Sequence, residues 1–212
     1  MNAAGLEQDW EACRNATAFI AVWLAEVFIA PLPIVAVSEH RSTDGVQLLE
    51  AIGDELGCRS AIDRMRSALS GGAAAASIER ELSIAYTLLF EGVAGSATVP
   101  LYESAYGGED TRLFQRATAD MESLLQGCGL SVRRDCCEPP DHLSIELALL
   151  AAVLRDGDKP RAALLRDRLR AWVPEFAARC NKADGNGFYG GAAMVLNGLV
   201  AAPALDDLRC PA

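Results

Sequence analysis

Glu138-Pro139-Pro140-Asp141-His142-Leu143, running directly into Ser144-Ile145-Glu146-Leu147-Ala148-Leu149-Leu150, is the stretch from which the fold can be worked out. Consecutive prolines fix φ, remove two backbone donors and push the preceding residue out of the α region, so residues 138–140 are extended or sit in a first helical turn. A helix follows at once. Asp141 suits its N-cap, or a place just inside it with Pro139 at N1, and the helix dipole favours a carboxylate at either position. Beyond it the chain is apolar almost all round: Leu143, Leu147, Leu150 and Leu154 form one stripe, and Ile145, Leu149, Ala152 and Val153 cover much of the rest. Such a helix is central and buried.

His142 and Glu146 are four apart and share a face of this apolar helix. One reading is purely local: Asp141 caps, His142 is a partly buried imidazole bonded to backbone, and Glu146 is its i,i+4 partner. The other is that the polar face beginning at the double proline is a binding site.

At 212 residues and 51% hydrophobic composition, the chain suits one domain or two small packed ones with a sizeable core. Its net charge of −10 argues against phosphate-dominated nucleic-acid binding and makes a cationic partner easier to attract. The seven cysteines are odd in number and lack C-x-x-C spacing, so they read as reduced thiols, the adjacent Cys136 and Cys137 included, with no metal site.

Residues 16–37 carry a single ionisable side chain, Glu26, near the middle. A central acid costs about 2.5–3.5 kcal/mol on insertion scales, and Pro31 and Pro33 are expected to end the helix before the ~20 residues of a membrane span. A buried core helix over residues 6–30 is the expectation. The acidic start, with Glu7, Asp9 and Glu11, is unlike a signal peptide, so the protein is expected in the cytoplasm without membrane insertion.

Helical periodicity then recurs. Val46, Leu49, Ile52 and Leu56 mark one helix, and Ile62, Met65 and Leu69 another that stops at Gly71-Gly72. Ser77 is expected to open a helix through Phe90, closed by Gly92 and Gly95, before a loop carrying Pro100, Tyr102, Glu103, Ser104 and Tyr106. Asp110 is the expected cap of the next, whose apolar set runs from Leu113 and Phe114 to Leu125 and stops at Gly127 and Gly129. Helices follow at 159–172, after a Val173-Pro174 break near Phe176, and at 187–201. No alternating strand pattern occurs, so the fold is expected to be all-α. It is expected to form a multi-helix bundle with an N-terminal block 1–129, a hinge 130–140 and a C-terminal block 141–212.

With His40 and His142 as the only imidazoles, no G-x-S-x-G elbow and no H-E-x-x-H, nothing marks a nucleophile, and no catalytic residue is assigned. The sequence from Gly185 to Gly190 spells G-x-G-x-x-G, but no buried strand precedes it, so it reads as a flexible helix start. The basic residues Arg155, Lys159, Arg161, Arg166, Arg168 and Arg170 interleave with Asp156, Asp158 and Asp167, the pattern of a solvated helical face.

Three separated segments resemble the TorD/DmsD family of cytoplasmic chaperones for molybdoenzymes. They are Tyr86-Thr87-Leu88-Leu89-Phe90-Glu91-Gly92 with Pro100 and Glu103-Ser104-Ala105-Tyr106, the 138–146 stretch, and Trp172-Val173-Pro174-Glu175-Phe176 with Phe188-Tyr189. The resemblance implies an all-helical chaperone, not an enzyme and without a cofactor of its own. Its ligand would be the twin-arginine signal peptide, or the body, of a molybdopterin oxidoreductase awaiting its cofactor. It implies a peptide-binding region at Pro140, Asp141 and His142 together with Pro100, Glu103, Ser104 and Tyr106, and a monomer or a homodimer; Glu146 joins Asp141 and Glu103 as a candidate carboxylate for the peptide's guanidinium groups. Where members often carry a bulky Phe-Met pair after the Glu-Leu, this chain has Ala148-Leu149-Leu150. Paired guanidinium groups followed by an apolar stretch call for carboxylates beside an apolar groove. A maturation factor binding a nucleotide-like cofactor through His142 and the basic cluster, and a plain helical interaction protein, are the alternatives.

Overall fold

The computed structural model describes residues 3–70, 74–93, 95–106 and 116–202, with side chains for all of these except 3–9 and Ser96. The described residues form nine α-helices and no strand. In order they are α1 (Ala3–Ile29), α2 (Ile34–Arg41), α3 (Thr43–Glu55), α4 (Arg59–Leu69), α5 (Ala75–Phe90), α6 (Arg116–Gly127), α7 (Leu143–Arg155), α8 (Lys159–Ala183) and α9 (Phe188–Ala201). Short 3-10 turns at Gly95–Ala97 and Glu103–Ala105 lie between α5 and α6. The fold is all-α. The expected Gly71-Gly72 stop, the Asp110 cap and the apolar positions Leu113 and Phe114 lie outside the described residues.

The chain divides into two compact units: the described parts of Met1–Glu26, Tyr102–Trp172 and Leu199–Ala212 form one, and Val27–Leu101 with Val173–Gly198 form the other. Three of the four boundaries fall inside α1, α8 and α9, and residues 130–140 lie within the first unit. In that unit α7 is the buried helix its sequence predicts, with Leu143, Leu147, Leu150 and Leu154 at most 1% exposed. Residues from α1 (Ala21, Leu24), α6 (Met121, Leu125) and the first part of α8 (Leu165, Leu169, Trp172) are buried as well. At about 1.5–3 kcal/mol for each large apolar side chain removed from water, these stripes are what hold the unit together.

The second unit is centred on aromatic rings. Phe28, Phe90 and Tyr189 pack edge to face, with Phe28 and Phe90 6.0 Å apart and Phe90 and Tyr189 5.5 Å apart, and the Tyr86 hydroxyl donates to the Phe28 carbonyl at 3.0 Å. The G-x-G-x-x-G segment is explained by packing and capping. The Asp184 carboxylate accepts from the Asn186 and Gly190 N–H groups at 3.0 and 2.7 Å, and a Cβ on the adjoining Gly191 would stand 2.7 Å from the Ala61 carbonyl oxygen. Glycine lets α9 approach α4 closely there.

Several sequence expectations are corrected. The break at Val173-Pro174 is absent: α8 is continuous from Lys159 to Ala183 with Pro174 inside it. Proline removes one i→i−4 donor, but the buried Leu169, Trp172, Val173, Phe176 and Cys180 keep a helical stripe on either side of it. Helix α1 is 27 residues long, and its segment Trp10–Ile29 is long and apolar enough to cross a membrane; half of that segment is buried inside the fold. Helix α2 had no counterpart in the sequence reading, and α5 starts at Ala75, ahead of Ser77.

Candidate functional site

The geometry around the double proline follows from what those residues cannot do. With the ring nitrogens unavailable, the first bond of the turn is made by the His142 N–H, which donates to the Pro139 carbonyl at 3.0 Å. His142, with φ −72° and ψ 135°, is therefore the N-cap of α7, and its Nδ1 accepts from the Ser144 N–H at 3.2 Å. This corrects the expectation that Asp141 caps the helix. An accepting Nδ1 leaves the ring proton on Nε2 and the imidazole neutral. Burial pushes the His142 pKa down, against the opposing charges of Glu138 and Asp141.

Freed from capping, Asp141 reaches away from α7. Its Oδ1 accepts from the Thr118 hydroxyl at 2.8 Å, its Oδ2 from the Ser104 N–H at 3.3 Å, and its backbone carbonyl from the Glu103 N–H at 3.1 Å. Next to it, Tyr102 and His142 form an isolated antiparallel bridge with their rings 5.3 Å apart, edge to face. The Tyr102 hydroxyl donates to Glu138 at 2.9 Å, and the Tyr106 ring stacks on Trp172 at 5.2 Å. Residues 102–106 are thus tied to residues 138–142, to α6 and to α8 by a carboxylate, a two-residue backbone pairing and a ring stack.

Deeper in the unit lies a second carboxyl cluster. Arg168 of α8 pairs with Glu103, donates to the Ala117 carbonyl at 3.3 Å and stands 3.7 Å from Asp120. Trp172 Nε1 lies 3.4 Å from Glu146 Oε2, while Glu146 Oε1 is buried with no donor in reach among the described residues. Burial first, and then the charge of Glu103, hold the Glu146 carboxyl well above its ordinary range, with Arg168 and the Trp172 N–H opposing. Glu103 is itself raised by burial, with Arg168 opposing.

Of the sequence-predicted site residues, Asp141, His142 and Glu146 are 0%, 2% and 0% exposed. Glu103, Ser104, Tyr106 and Pro140 are half-buried and belong to the same unit. Pro100 is half-buried in the other unit. The structure adds Thr118, Arg168 and Trp172. Thr118 carried no sequence signal, and Arg168 was hidden in the basic cluster. That cluster is largely spent on internal contacts: Arg161 on Asp158 and the Gly127 carbonyl, Arg168 on Glu103, Arg170 on the Val200 carbonyl, and Lys159 over the Trp10 ring at 4.7 Å. The expected i,i+4 pairing gives way to Glu146 reaching Glu103 and Trp172. A cavity of about 530 Å³ in the second unit, lined by His40, Arg41, Asp63, Arg66 and their neighbours, contains none of the predicted site residues. No group of three or more potential metal ligands occurs among the described residues.

The family model described as "Nitrate reductase delta subunit" matches residues 53–178, a range that takes in every residue of both carboxyl clusters. The chaperone protein TorD of Vibrio atlanticus is 26% identical over 201 residues, covering 89% of this chain and 93% of that protein. TorD of an Escherichia coli O157:H7 strain is 28% identical over 192 residues (86% and 92%), and TorD of Aeromonas salmonicida 29% over 206 residues (89% and 90%). These relatives are named as chaperones and not for a reaction. The chain belongs to this family, and the curated relatives it matches are TorD chaperones.

Proposed function

We propose, from this membership, that the protein is a cytoplasmic chaperone dedicated to a molybdopterin oxidoreductase, binding its twin-arginine signal peptide or its apo form and holding it for cofactor insertion before export. The observation that carries the reading is the meeting of two segments in which the resemblance lies, residues 102–106 and 138–142. It leaves Glu103 and Glu138 half-buried beside the Tyr102 and Tyr106 rings. Carboxylates next to aromatic surface suit a peptide that presents guanidinium groups and then apolar side chains. Because Asp141 has both oxygens engaged inside the unit, the half-exposed Glu103, Ser104, Tyr106 and Pro140 are the residues we assign to direct peptide contact, with Asp141 and His142 beneath them and Glu146 at the buried end of the same site. The nucleotide alternative loses ground because the basic cluster is occupied by internal partners. Neither nucleic acid nor membrane insertion belongs to this role.

The test is calorimetric titration of the purified full chain with a synthetic twin-arginine leader and with its Lys-Lys counterpart. Saturable binding of the first, weakened by the replacement, is expected. A leader that produces no heat beyond dilution would refute the reading.

A further inference from the structure

The buried end of the site has an imbalance of charge. Among the described residues, Arg168 pairs with Glu103 of the 3-10 turn and has its Nη1 3.7 Å from Asp120 of α6, and its charge also acts on the second carboxyl group, Glu146 of α7. Asp141 adds repulsion on Glu103, and Trp172 of α8 contributes one N–H, to Glu146 Oε2. Glu146 Oε1 receives no hydrogen bond from the described residues, although it is wholly buried. An ionised oxygen left that way is costly, and a proton placed between Glu146 and Glu103 removes the cost. One ionised carboxylate, one neutral carboxyl and Arg168 then sum to zero.

We infer that the Glu103–Glu146 pair is a guanidinium site closed by one shared proton, and that an arginine of the cargo peptide enters by displacing that proton to solvent. The inference rests on the peptide reading above. Charge balance is kept on both sides of the exchange: before it, one carboxylate and Arg168; after it, two carboxylates, Arg168 and the incoming guanidinium. A carboxyl pair accepting a planar fork of N–H donors also supplies the partner that Glu146 Oε1 lacks. Burial of the pair makes binding linked to pH, tighter as pH rises toward the titration of Glu146 in the free protein and level above it.

The experiment is titration of the full chain with a synthetic twin-arginine leader peptide at one pH in phosphate and in Tris, whose ionisation enthalpies differ, repeated over several pH values. The expected result is release of about one proton per peptide and an affinity rising about tenfold per pH unit below the Glu146 titration. Glu146→Gln keeps the neutral shape, with an amide to donate to Glu103, and should fold, but without the second carboxylate it should bind the leader about tenfold or more weaker than wild type above the Glu146 titration, with a flat pH profile and no proton released. Binding by the wild type with heats independent of buffer overturns the exchange while leaving the chaperone reading intact. A peptide that does not bind overturns the chaperone reading instead. Carbon-13 titration of the peptide-free protein judges the proton separately: a Glu146 carboxyl ionised at neutral pH overturns the inference whatever the peptide does.

Discussion

Asp141 is where a binding role and a structural role make different predictions. Its carboxylate accepts from the Thr118 hydroxyl and the Ser104 N–H, and no part of it reaches solvent. Hydrogen bonds to a charged acceptor contribute about 1.5–3 kcal/mol each, so Asp141→Ala, which deletes both and leaves two donors stranded, should cost roughly 3–5 kcal/mol. Asp141→Asn is gentler. Its amide oxygen can take the Ser104 N–H while its NH₂ group donates to the Thr118 hydroxyl, which is free to turn its own proton away. Only the charge assistance is then lost, an expected ~1–2 kcal/mol. Urea melts followed by circular dichroism, with a common m value, give both numbers. Amide hydrogen exchange at Ser104 should speed up in the Ala variant more than in the Asn variant, because Asp141 holds residues 102–106 down. An Ala variant within about 0.5 kcal/mol of wild type, with Ser104 exchange unchanged, would refute the reasoning and return Asp141 to a surface role.

Leu147 is fully buried in α7, and Leu147→Ala should cost on the order of 2–5 kcal/mol in the same melts. Pro174→Ala restores the missing helix donor and should stabilise the protein by roughly 1–3 kcal/mol, since the α8 backbone is already helical there. Cys136 is half-buried and Cys137 exposed, and replacing both with Ser should leave melts and leader binding near wild type; stoichiometric zinc lost on replacement would overturn this. The raised Glu146 carboxyl contributes stability that is complete below its ordinary value of 4.5 and is lost as pH rises through its folded-state value, so Glu146→Gln should flatten the decline in stability from mildly acidic toward neutral pH. His142 works in the opposite direction: its lowered value contributes stability above its ordinary 6.5 that is lost on acidification through the folded-state value, and that limb should survive in the Gln variant.

How much of this was readable from the chain depends on whether the information is local. The Leu143, Leu147, Leu150, Leu154 stripe repeats at the helical period with no charge interrupting it, so α7 and its burial follow from the sequence. The stops at Gly92 and Gly129, both with positive φ, were equally legible, because glycine enters that region without the cost other residues meet. Helix α2 was not: of its eight residues Val37 alone is buried, and flanking prolines with Glu39, His40 and Arg41 look like a connection. Pro174 misled for the converse reason. A rule about backbone donors speaks of one hydrogen bond, whereas the buried residues on either side of it act over several turns.

The site shows the same division more sharply. That Asp141 and His142 are special could be read from the double proline, but which of them caps α7 could not, since both offer an acceptor at the right end of a helix. The answer depends on Thr118 and Ser104, 23 and 37 residues away, whose donors take the carboxylate and leave the cap to the imidazole. Arg168 shows how a neighbour changes meaning. On a helix with alternating charge an arginine reads as solvated, and only contact with Glu103, 65 residues earlier, makes it, among the described residues, the cation of the half-buried Glu103 and the buried Glu146. A sequence lists the acids and bases separately. The imbalance between them, which is what gives Glu146 its proton and the site its affinity for another guanidinium, exists only once the fold has brought the four side chains Glu103, Glu146, Arg168 and Trp172 into one place.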